Sequence, residues 1–121
     1  LCFSFDIFDT SMMNAFISIT KVGGYILLFS IVLSLGKALP FAPFLAILEV
    51  TNGIPLILRT VQNSDIAYIL TLTLTSFGGI CTLAQTRAML SGTRLSISAH
   101  TIEKLITALV TSLLALLFIR L

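Results

Sequence analysis

Charge is what this sequence has least of. Its 121 residues include seven Lys or Arg and five Asp or Glu, 10% of the chain, against 57% hydrophobic residues. The mean hydropathy is +1.11. Soluble domains carry roughly 25% charged residues, and a chain this short has too little interior to hide so much apolar surface. An ordinary soluble enzyme or a nucleic-acid module is therefore not expected, and disorder is excluded by the same apolar excess. The net charge of +2, spread over scattered basic residues, gives no polyanion surface and no nucleic-acid partner. His100 is the only histidine and has no acid or cysteine at ligand spacing, while Cys2 and Cys81 form neither a metal nor a disulfide pattern. There is no G-x-S-x-G elbow and no nucleotide-binding glycine motif; the Gly23-Gly24 and Gly78-Gly79 pairs lack the required spacing. No enzymatic activity, cofactor or metal is expected.

What the sequence does have is long uncharged runs. Residues 22–36 lie between Lys21 and Lys37, residues 66–86 are free of charge, and residues 105–119 lie between Lys104 and Arg120. Fifteen helical residues cover about 22 Å, and a bilayer core is roughly 30 Å thick, so snorkelling lysines and flanking residues must complete each crossing. The expected class is an all-α, polytopic helical membrane protein whose partner is the lipid bilayer. Residues 1–13 remain unassigned. Residues 14–121 read as one transmembrane domain, with full spans at about 15–39 and 101–121.

The middle is interrupted. Pro40 and Pro43 open an apolar stretch that meets Glu49, Thr51, Asn52, Gly53 and Pro55 within seven residues, which predicts a broken helix over 41–58. Ser76-Phe77-Gly78-Gly79 sits at the centre of the longest run. The two flanks are about 16 Å of helix each, and half-bilayer arms around a glycine pair predict a re-entrant helical hairpin over 66–90.

Glu49 is the sharpest candidate, because an ionisable group among apolar residues at membrane depth needs a partner, water or a ligand. Its structural alternative is pairing with Arg59 or Lys37. Thr51, Asn52 and Gly53 add a hydroxyl, an amide and freed backbone, a mix suited to a small polar solute or an ion where a helix unwinds; an ordinary capped loop is the alternative. Ser76, Gly78 and Gly79 expose backbone groups at the expected tip, or serve close helix packing. Thr71, Thr75, Gly78, Thr82 and Gln85 form a polar stripe at helical spacing. Interhelical glue suits Thr71 and Thr82, and Gln85 is the better ligand candidate.

Three segments carry a resemblance: KVGGYILLFSIVL (21–33), LEVTNGI (48–54) and LTSFGGICTLAQ (74–85). Together they resemble the nucleoside-recognition, or Gate, domain family, in the variety found in sporulation integral membrane proteins of Gram-positive bacteria. The similarity covers residues 14–121. It implies a bacterial cell-membrane location and a distant likeness to the C-terminal part of concentrative nucleoside transporters. By that likeness Glu49 and Asn52 take the broken-helix positions, and Ser76, Gly78 and Gly79 the hairpin tip. It also implies two related halves, of which this chain holds one, so the expected partner is another Gate-like half on the same or a different chain. The function implied is transport or recognition of a small polar solute, with a nucleoside as one such solute. The alternatives are a non-transporting membrane assembly protein, related to sporulation or the envelope, and an inactive fragment. The start at Leu1 and the length, near that of half a repeated fold, fit a part better than a whole.

Overall fold

Helices account for all the regular structure among the described residues. The structure, a computed structural model, describes residues 4–121, without the side chains of residues 42 and 43. Residues 1–3 of the unassigned segment lie outside the described residues. The elements are α1 (Phe5–Gly36), α2 (Ala42–Leu45), α3 (Val50–Thr60), α4 (Ser64–Phe77), α5 (Gly79–Leu90) and α6 (Ile97–Arg120). Three stretches are long and apolar enough to cross a membrane: Phe5–Gly36, Ser64–Leu90 and Ile97–Arg120.

The chain makes four antiparallel passes. α1 is the first. Residues 42–60 return beside it, since Leu45 meets Gly36 at the end of α1 while Asn52 reaches Ser30 further back. α4 and α5 form the third pass: Ile57 lies by Leu70, and the Ile47 carbonyl accepts from the Ile80 N–H. α6 runs back along both, with Tyr68 near Phe118, Ser76 bonded to Thr111, and Arg87 near Ile97. The buried core joins Leu33, Ala46, Leu56, Ile57, Ala67 and Leu74. Most of the remaining large apolar side chains face outward, including Leu113, Leu117 and Phe118 of α6, as suits a bundle whose solvent is as apolar as its side chains.

Three boundaries differ from those expected. α1 starts at Phe5, not near 15, because nothing between 5 and 20 breaks a helix; the mixture of phenylalanines and aspartates there simply hides the period. Its end moves from 39 to Gly36, where a side chain would run into Leu45. α6 begins at Ile97 and not near 101, and the Ser96 side chain caps it.

The reversal expected over 66–90 is replaced by a kink. α5 continues past Gly78 in the direction of α4, since successive residues of both meet successively earlier residues of α6. Gly78 at φ 88° and Gly79 at φ 79° end one helix and start the next. Two left-handed residues break the hydrogen-bond ladder and offset its axis, and α6 remains alongside to hold both halves on one course.

The heights of these contacts are consistent. Lys21 and Gly36 bracket an α1 segment about 22 Å long, and Ser30 lies near its middle. Ser76 and Gly78 are at the middle of the third pass, and Thr111 is near the middle of α6. The half of α1 before Lys21 is about 24 Å long, and its residues are exposed from Phe5 to Ile17.

Candidate functional site

The two interruptions meet. Between α2 and α3 the chain runs through a turn over residues 46–48, and the carbonyls of Ile47 and Leu48 accept from the N–H groups of Ile80 (2.9 Å) and Cys81 (2.8 Å). These donors belong to the first turn of α5, which has no partners of its own to offer them. The approach is close: a Cβ on Gly79 would sit 3.1 Å from the Ile47 carbonyl oxygen and 3.3 Å from that of Leu48. The carbonyls of the α2–α3 connection thus satisfy the exposed N–H groups at the start of α5.

Glu49 closes the first interruption. It is extended, at φ −148° and ψ 122°, and forms the N-cap of α3. Its side chain, only 4% exposed, turns back over the helix start. Oε1 accepts from the Thr51 N–H at 2.9 Å. Oε2 accepts from the Thr51 hydroxyl at 2.6 Å, the Asn52 N–H at 2.9 Å and Asn52 Nδ2 at 3.1 Å. Four donors are what an ionised, acceptor-only carboxylate can use, and the negative charge lies on the positive end of the helix. Neither Arg59 nor Lys37 is its partner among the described residues; the charge is held by the cap itself.

Asn52 links this cap to α1. Its Nδ2 also donates to Ser30 Oγ at 2.8 Å, so both amide hydrogens are engaged and Oδ1 remains an open acceptor. A second acceptor comes from Pro55, which lies inside α3 and lacks the N–H that would have bonded the Thr51 carbonyl. Gly53 is buried directly against the Ala46 carbonyl. The interruption therefore falls at residues 46–49, before Glu49 and not across Glu49–Gly53 as the sequence suggested; Gly53 and Pro55 are helical.

Of the expected site residues, Glu49, Thr51, Asn52 and Gly53 form one cluster, and Gly79 packs on the segment just before it. Gly78 supplies the left-handed turn. Ser76 is engaged elsewhere, accepting from Thr111 on α6 at 3.0 Å. Gln85 donates to the sulfur of Cys81 at 3.2 Å, one turn from the α5 start. Among the stripe threonines, Thr75 and Thr82 bond back to carbonyls of their own turn, while the buried Thr71 hydroxyl has no partner.

The Ser76–Thr111 bond is the one polar tie between α4 and α6 among the described residues. Thr111→Val preserves the shape and removes the bond. It should lower stability by only about 0.5–1.5 kcal/mol, and Ser76→Ala in that background should add almost nothing. Full additivity of the two substitutions in thermal melts would contradict the tie.

Two residues of the site, Ser30 and Ser34, escape notice in the sequence, and Lys37 figures there only as a span boundary and a partner for Glu49. A groove of about 270 Å³ beside Asn52 is lined by Ser30, Ser34 and Lys37 of α1 together with Leu27 and Ile31. The signal was available, since residues 30, 34 and 37 are one face of a helix at steps of four and three.

No family model, curated protein or solved structure matches the chain.

Proposed function

We propose that this chain is one half of a Gate-type membrane module that recognises a small polar solute of the nucleoside class. The observation that carries the reading is the height of the polar cluster. Glu49, Thr51, Asn52 and Ser30 gather at the middle of the α1 segment 22–36, where the flanking residues are apolar. Polar groups at that depth are costly and mark solute or ion paths by default. Broken helices that expose backbone and amide groups there form binding sites in transporters. In this reading the broken helix over 41–58 supplies Asn52 Oδ1 and the Thr51 carbonyl as solute acceptors. The interruption at Ser76–Gly79 takes the place of a hairpin tip and buttresses the first. Asn52 and Thr51 are exposed on one side of the bundle, and lipid is a poor neighbour for them. A second Gate-like half covers that side.

The test is uptake of radiolabelled uridine by proteoliposomes. Asn52→Ala should reduce binding and uptake at least tenfold, since it removes the open acceptor and its tie to α1, while the protein still inserts and elutes as a single species. Undiminished uptake by Asn52→Ala, or none by the parent protein, would contradict the reading.

One observation favours the assembly role instead. The first half of α1 exposes Ile7, Met12 and Phe16. A crosslinker placed at residue 12 that captured another envelope membrane protein, together with no solute binding, would move the assignment there.

A further inference from the structure

The groove between α1 and α3 is electrically polarised, and this narrows the class of solute. At its floor lie Asn52 and, behind it, the Glu49 carboxylate, whose Oε2 is 3.1 Å from Asn52 Nδ2. At its mouth is Lys37, the residue after the last turn of α1. No ion pair engages Lys37 among the described residues. Ser30 and Ser34 lie between, over an α1 rise of about 10 Å from residue 30 to residue 37. A negative floor with open acceptors favours a ligand end that donates hydrogen bonds. A mouth with an unpaired ammonium favours an anionic end, and such a charge-assisted contact is stronger than a neutral one. The apolar walls, Leu27 and Ile31, suit a thin organic body and not a hydrated ion.

We infer that this groove binds a polar solute with hydrogen-bond donors at one end and an anionic group, a phosphate or a carboxylate, at the other. Lys37 meets the anion, Ser34 supplies a hydroxyl along the way, and Asn52 Oδ1 receives the donors. The inference rests on the solute-recognition reading above and adds the charge of the solute to it.

Equilibrium binding to the full chain in phosphatidylcholine nanodiscs tests this with two probes, uridine and uridine 5′-monophosphate. The monophosphate should bind about tenfold more tightly, the worth of one charge-assisted hydrogen bond. Lys37→Gln should bring the two probes to parity by weakening the monophosphate, and Lys37→Arg should restore the preference. Nanodiscs containing phosphatidylglycerol separate the two sources of a phosphate. If that lipid suppresses the preference in the parent protein, the anion site stands and a lipid headgroup is its occupant. Equal binding of both probes, unchanged in Lys37→Gln, overturns the inference and leaves solute recognition standing. Failure of both probes to bind overturns the two together.

Discussion

Glu49→Ala is expected to cost about 3–4 kcal/mol of stability, and Glu49→Gln only about 1–2 kcal/mol. The order follows from the donors around the carboxylate. Oε2 accepts three hydrogen bonds and Oε1 one. A glutamine can put its amide oxygen at the Oε2 position and keep three of them. Its amide nitrogen then faces the Thr51 N–H, so one donor is left unsatisfied at about 1–3 kcal/mol. Alanine leaves all four donors unmatched, removes the N-cap, itself worth about 1 kcal/mol, and opens a hole beneath the α2–α3 interruption. The readout is local. Cys81 is a buried free thiol, 2% exposed, and its N–H bonds to the Leu48 carbonyl next to Glu49. In a Cys2→Ser background, labelling of Cys81 by a thiol reagent should be fast in Glu49→Ala, intermediate in Glu49→Gln and slow in the parent. Slow labelling in Glu49→Ala would show that the cap does not hold the interruption closed. The same logic changes the meaning of a transport defect in Glu49→Gln. With its lone pairs occupied by α3, the carboxylate serves the proposed solute site only through the placement of Asn52, as a positioning group.

The apolar first and last passes were legible, because apolar runs bounded by single charges are a strong signal; the pass through residues 64–90 was not, since its glycine pair read as a reversal. Nor was the order of break and cap. Glycine and proline read as breakers from sequence, yet Gly53 and Pro55 are inside α3. Gly53 is needed there for contact with the Ala46 carbonyl, a tertiary demand that no local propensity records. The kink at Gly78 shows the same limit. Arm length alone fits a reversal and a kink equally, and what decides between them is the antiparallel α6 beside both arms. Ser30 and Ser34 were passed over because two serines in an apolar run look like tolerated polar substitutions until Asn52, 22 residues away from Ser30, arrives to bond one of them. The site depends on pairings across the bundle, and a pattern read along one helix cannot supply the partner.

Gly53→Ala should be among the most damaging single methyl additions to this protein. A Cβ at Gly53 would be driven into the Ala46 carbonyl, with the Ala46 carbonyl carbon and Cα both at 3.0 Å. All three neighbours are main chain, so no rotamer change relieves the overlap, and α3 must move off the 46–49 segment. That movement strains the bond from the Gly53 N–H to the Glu49 carbonyl (2.8 Å) and the two bonds by which the Ile47 and Leu48 carbonyls hold α5. Overpacking against side chains costs about 1–3 kcal/mol, and a backbone wall that cannot yield puts this case at the upper end, about 3 kcal/mol. Gly23→Ala is the control. Gly23 is in α1 with nothing within 4 Å of the added methyl, so replacing a helical glycine by alanine should stabilise by about 0.5–1 kcal/mol. Thermal unfolding in detergent should therefore move the two midpoints in opposite directions. Solute binding should fall with Gly53→Ala and hold with Gly23→Ala, because only the first displaces Asn52 from Ser30. Equal midpoints for the two variants would mean that the interruption has slack, and the joint between the broken helices could not then be what fixes the geometry of the site.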